Sequence, residues 1–194
     1  MKHIKTNFLL AMVAVCCIII CGCRNTTSEA PAEPVAAVEE KTSYLQAIDN
    51  YLINEIGSCY AEAQYCIPEY SVVAVDESND TNILVWGDYW VSNYNLVGDT
   101  LKFISGGSHP GLFHLRHTAT GYEITCFEEV ADGSGNLESA KRIFGSNYEA
   151  FHAINSDEEY RERQRALSIG DYVKAHNITA NFYQDYGWPA KAIE

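Results

Sequence analysis

The stretch NILVWGDYWVSNYN, residues 82–95, decides the fold. In an extended strand, successive side chains point to opposite faces. Leu84, Trp86, Asp88, Trp90 and Tyr94 then share one face, and Ile83, Val85, Tyr89 and Val91 share the other. Both faces are apolar, so one is expected to lie under a helix. Period-two segments continue on either side, punctuated by turn residues. Tyr70–Asp76 precedes the turn Ser78-Asn79-Asp80, and Gly98-Asp99 suits a two-residue hairpin loop. Thr100–Ser105, a loop from Gly106 to Gly111, Leu112–Thr118, a turn at Ala119-Thr120-Gly121 and Tyr122–Val130 complete the set. Five strands with short connections predict an antiparallel meander. Leu101, Phe103, Phe113, Leu115, Ile124 and Cys126 are expected on one buried face, with Lys102, Arg116 and Glu123 outside.

Helical periods flank the meander. From Thr42 to Ile56 the apolar residues Leu45, Ile48, Leu52 and Ile56 recur at spacings of three and four. After the strands, Asn136 is expected to cap Leu137–Phe144, with Gly145 as its stop. Ser146–Glu149 and Ser156–Glu159 match capping boxes, and the second opens a helix expected to run past Gly170 or restart there, toward His176. The aromatic tail FYQDYGWP, residues 182–189, is expected to dock on the body. The class is α+β: an N-terminal helix, a five-stranded antiparallel meander and C-terminal helices, in one domain over residues 44–194. A helix followed by a meander is similar in element order to cystatin-like and NTF2-like domains.

The whole chain has 194 residues, is 47% hydrophobic and carries a net charge of −13. That composition excludes a wholly disordered chain. Its acidity argues against nucleic acid as a partner, because phosphate must be met by Lys and Arg.

The N-terminus reads as an address. Lys2 and Lys5 precede the 13 apolar residues Phe8 to Ile20, which fit a secretory h-region. The run is shorter than the ~18 residues of a transmembrane helix. It closes Ile20-Cys21-Gly22-Cys23, which resembles the lipobox of bacterial lipoproteins. The resemblance implies cleavage after Gly22 and a diacylglyceryl group on the Cys23 sulfur. Residues 1–22 would be the signal, and Cys23 with the Pro-containing segment to residue 43 a lipid anchor and flexible tether. As a coil, 20 residues span on the order of 25 Å. Loss of residues 1–22 removes Lys2 and Lys5 and no acid, leaving 11 Lys+Arg against 26 Asp+Glu, a net charge of −15. Such a body is repelled by anionic lipid, so the membrane partner is met through the anchor alone. The expected location is the bacterial cell envelope, outside the cytoplasm.

Cys59, Cys66 and Cys126 then remain in an exported setting. Cys59 and Cys66 would be ~10.5 Å apart along an unbroken helix, beyond the ~7 Å limit for a disulfide. If Gly57 ends the helix, a Cys59–Cys66 bridge becomes feasible, and it is the expected pairing. No Cys or His pair stands at metal spacing, so neither metal nor cofactor is expected. His114 and His117 differ by three, which puts them on opposite faces of a strand and makes a three-His site with His109 a poor one. Gly106-Gly107-Ser108-His109-Pro110 departs from a nucleophile elbow at its last position, and it leads into a strand where a helix is required.

Asp88, between Trp86 and Trp90, is the acid that stands out. Enclosure would raise its pKa toward that of a useful general base. The Trp86/Trp90 face is expected to pack as core; its alternative is an open platform for a sugar or a protein. Without a catalytic motif, the leading expectation is a non-enzymatic, lipid-anchored extracytoplasmic domain that binds a protein or glycan. The alternative is a small NTF2-like hydrolase or isomerase with a pocket around Asp88.

Overall fold

The computed structural model describes residues 44–194. The expected signal, the expected lipid-bearing Cys23 and tether, and the expected helix start at Thr42 or Ser43 lie outside the described residues. In chain order the elements begin with α1 (Tyr44–Tyr51), β1 (Tyr65–Asp76), β2 (Ile83–Val97), β3 (Thr100–Ser108), β4 (Gly111–Thr118) and β5 (Gly121–Glu129). Then follow α2 (Asn136–Phe144), α3 (Tyr148–Ser156), α4 (Glu158–Ala175), β6 (Phe182–Gln184) and β7 (Lys191–Ala192). The class is α+β, built on a seven-stranded mixed sheet.

The expected five-stranded meander is corrected. β2 spans 15 residues and pairs with β1 along one edge. Its other edge is shared: β3 pairs with Trp90–Val97 and β4 with Ile83–Gly87. β3 and β4 therefore run in line as one row antiparallel to β2. The Gly106–Gly111 segment is not a loop. Gly106, Gly107 and Ser108 stay in the ladder opposite Ser92, Val91 and Trp90. Even the His109 N–H donates to the Tyr89 carbonyl at 2.7 Å, so the chain kinks there and does not turn back. β5 returns against β4, and β6 pairs in parallel with β3, which makes the sheet mixed.

Two bulges overturn the expected buried face. One extra residue in a strand reverses the alternation beyond it. Phe103 pairs with Tyr94 and Ser105 with Asn93, leaving Ile104 as the extra residue, 42% exposed. Leu101 and Phe103 are thereby turned to the face of Tyr94, opposite to Phe113 and Leu115. In β5 the shift between Ile124 and Cys126 does the same. Phe127, not Cys126, reaches the core and stacks on Phe113 at 4.2 Å, while Cys126 is exposed. Lys102, Arg116 and Glu123 are exposed.

The regular helix expected to Ile56 is also corrected. After Tyr51 the chain widens to a π-turn over Leu52–Ile56 and tightens to a 3-10 turn over Gly57–Cys59. The Gly57 N–H reaches back to the Leu52 carbonyl. A side chain at Gly57 would run into Cys66 and Val91, so the chain can approach the sheet there only through glycine. The expected caps shift by a residue. Gly135 precedes α2, Asn147 precedes α3 without a side-chain bond, and Asp157 accepts the Tyr160 N–H at 2.9 Å to open α4. α4 runs unbroken through Gly170, where a Cβ would meet the Glu194 carbonyl oxygen at 3.0 Å.

Helices cover both faces of the sheet. Ile48 and Leu52 pack on Ile83, Val85, Tyr89, Val91, Phe113 and Leu115. On the other face α2 and α3 close over Leu112, Leu84 and Trp86. Further along that face, α4 and Tyr183 close over Ile67, Tyr94 and Leu101.

Candidate functional site

Between the two apolar clusters of that second face lies a polar belt. The register sets Ser71 opposite Asp88 and Glu69 opposite Trp90, all on one side of the sheet. α4 crosses above them. Its core contacts Ile169 and Val173 continue at four-residue steps to Arg165 and Arg161, so the stripe that packs lower down becomes basic over the belt. Asn155, from the last turn of α3, reaches in from the side. Together they leave a cavity of about 190 Å³ lined by Glu69, Ser71, Asp88, Trp90, Arg161 and Arg165, with Glu158, Glu162 and Gln164 also in its wall.

Asp88 is 2% exposed. Asn155 Nδ2 and Trp90 Nε1 each donate to its carboxylate, at 3.2 Å. Burial pushes its pKa up; the Asn155 bond, the Arg161 charge and the bonds from Trp90 and Ser108 act against that. Glu69 is also buried and accepts from Ser92 Oγ at 2.9 Å. Burial pushes it to about 7, against the pull of Arg165 and Ser92. Arg165 lies 3.5 Å from Glu69 but is shared: Asp185 is at 2.9 Å and Tyr94 Oη accepts from it at 3.0 Å. That division leaves Glu69 only partly compensated. Burial works against the Arg165 charge, but Tyr94, Glu69 and Asp185 outweigh it and hold the guanidinium cationic. The Arg161 guanidinium lies over the Trp90 ring, 5.6 Å from its centroid. Among the described residues, Arg161 Nε is buried without a hydrogen-bond partner.

The structure separates the two tryptophans. Trp90 lines the cavity, whereas Trp86 packs under α2 and donates its Nε1 to the Ile143 carbonyl at 2.9 Å. Neither forms an open platform. The Cys59–Cys66 bridge is not formed: Cys59, on the exposed 3-10 turn, donates Sγ to the Glu55 carbonyl, and Cys66 turns toward the core under α1. Burial pushes the Cys66 thiol up to about 11. The three histidines have separate partners. His109 joins Tyr60 Oη at 2.8 Å to Glu129 at 2.6 Å and pins the kink between β3 and β4. His114 meets Asn82 and Glu128, and the His117 ring packs edge-on against Tyr122. Among the described residues, no three of His, Cys, Asp and Glu gather into a metal-binding group.

Of the residues singled out from sequence, Asp88 and Trp90 line this cavity; Glu69, Arg161 and Arg165 line it too and were not singled out. A signal existed for each. Glu69 stands two residues from Ile67 on the same strand face, and the arginines prolong the apolar stripe of Ile169 and Val173.

The chain matches no protein-family model, no curated protein and no solved structure.

Proposed function

We propose that this chain is a lipid-anchored extracytoplasmic binding protein that takes a sugar ring in the Trp90 cavity. One observation carries the reading: Trp90, Asp88 and Arg161 line the same small cavity, with the Arg161 guanidinium beside the Trp90 ring. A sugar ring presents apolar C–H faces to an aromatic ring, and hydroxyls in its plane to carboxylate, amide and guanidinium groups. At about 190 Å³ the cavity is smaller than the ~300–1,000 Å³ of drug-sized pockets, which suits a single ring. The location rests on Phe8–Ile20 and the Cys23 lipobox, and the acidic body is held near the membrane by the anchor.

Titration calorimetry of the full chain against mono- and oligosaccharides of glucose, xylose and N-acetylglucosamine tests the binding. Trp90→Ala should weaken every saccharide that binds wild type at least ~10-fold, about 1.4 kcal/mol. No binding to any of them by wild type would defeat the sugar reading. Cys23→Ala should leave the membrane fraction or stay unprocessed; processing and fractionation like wild type would refute the anchor.

A second reading is favoured by Glu69. A carboxyl at about 7, in a cavity with a second buried acid, is poised for acid–base work at neutral pH. Under it the domain is a small hydrolase or isomerase, in line with the NTF2-like element order. Turnover of a bound saccharide, abolished by Glu69→Gln, would establish it; binding without turnover would leave the non-enzymatic reading.

A further inference from the structure

We propose that the C-terminal tail forms a second sugar subsite, so that the ligand is a linear oligosaccharide of at least two rings. This rests on the sugar reading of the Trp90 cavity. A second cavity, of about 450 Å³, is lined by Phe103, Asp185, Tyr186, Trp188 and Lys191 together with Glu158, Glu162 and Arg165. The last three also wall the Trp90 cavity. The two chambers thus flank the same side chains of α4, with Arg165 between them. A chain of rings entering one is carried past Glu158 and Glu162, both exposed, into the other.

The tail is built to present its aromatics. Tyr183 anchors it, only 3% exposed, while Tyr186 and Trp188 are 87% and 69% exposed. They are held by structure and not left loose. The Trp188 N–H donates to the Asp185 carbonyl at 3.1 Å, Gln184 Nε2 donates to the Trp188 carbonyl at 2.8 Å, and Gly187 supplies the positive φ of 77° that the turn needs. Lys191, from β7, ties back to Glu162 at 2.5 Å and fixes the far wall to α4.

Each chamber is also walled by a charged side chain of opposite hydrogen-bonding character. In the first it is Arg161, a donor; in the second it is Asp185, an acceptor. Asp185 Oδ1 is ion-paired with Arg165 at 2.9 Å, which fixes the carboxylate in the wall of the second chamber. A guanidinium beside Trp90 and a carboxylate beside Tyr186 and Trp188 suit successive rings of a polyhydroxy chain better than an apolar or a purely cationic ligand.

The test compares monomer and tetramer of each saccharide that binds the full chain, for wild type, Trp188→Ala and Trp90→Ala. Wild type should hold the tetramer about 10-fold or more tighter than the monomer. Trp188→Ala should remove most of that gain and leave monomer affinity unchanged, while Trp90→Ala weakens both. Trp188 is mostly exposed, so its loss leaves folding intact. Equal affinity of wild type for monomer and tetramer overturns the second subsite, and so does a gain that survives Trp188→Ala. With Trp90→Ala still weakening the monomer, either result leaves the single-ring reading standing. If wild type binds no saccharide, the single-ring reading falls and the second subsite falls with it.

Discussion

The two faces of the sheet are covered in different ways. Under α1, Val85, Tyr89, Phe113 and Leu115 are fully buried, and Phe113 and Phe127 stack at the centre. Asp49 approaches that layer, and burial pushes it to about 6 against a hydrogen bond from Tyr70. Under α4 the apolar packing is interrupted, and Glu69, Asp88, Ser92, Arg161, Arg165 and Asp185 fill the interruption with ion pairs and a cavity. Close packing stabilises through volume, whereas a buried polar belt costs desolvation and is held by paired charges. The first face should therefore answer to volume and the second to charge.

The largest expected effect is on the apolar face. Leu115→Ala should cost ~2–5 kcal/mol in denaturant unfolding, because Leu115 is wholly enclosed. A loss below ~1 kcal/mol would mean that this face is not the close-packed one.

Next comes the belt. Glu69 has its folded pKa raised from 4.5 to about 7, so its ionisation is disfavoured in the folded state. Its favourable share of stability is complete below about pH 4.5 and is lost as pH rises through about 7. Glu69→Gln should therefore stabilise the domain at pH 8 by up to the order of 3 kcal/mol and change little near pH 4. Asp49 titrates in the same sense and keeps its own share of the slope in the variant. Chemical denaturation across pH 4–8 measures the difference between the two curves; parallel curves would show that Glu69 is not the buried acid described.

The smallest effect belongs to neither face. Arg116 and Glu123 pair at 2.7 Å across β4 and β5, with both side chains about half exposed. Glu123→Ala should shift stability by less than ~1 kcal/mol, and by less still in salt. A larger loss would mean that the strand edge, and not the covered faces, supports the sheet.

Much of the secondary structure was legible because it depends on local pattern. Alternation around Trp86–Tyr94 marks a strand, Gly98-Asp99 joins β2 to β3, and the stripe through Tyr172 and Val173 carries α4 past Gly170. The arrangement of the strands was less so. A glycine-rich hexad such as Gly106–Gly111 reads as a turn, yet whether it folds back or stays in register is settled by hydrogen bonds to Ser92, Val91 and Tyr89 on another strand. Bulges at Ile104 and in β5 have no residue signature here, and each reverses which side chains are buried.

The candidate site divides along the same line. By itself the sequence determined the α+β class, the acidity of the body, and the placement of Asp88 and Trp90 on one strand face. Only the tertiary structure decided that Trp90 opens onto a cavity while Trp86 packs under α2, and that Glu69 and Arg165, 96 positions apart in the chain, share one pocket. The reason is the reach of the forces involved. Alternation and capping act over a few residues and leave their mark on neighbouring letters. Burial, desolvation and ion pairing act through space, and they exist only once β1, β2 and α4 have been brought together.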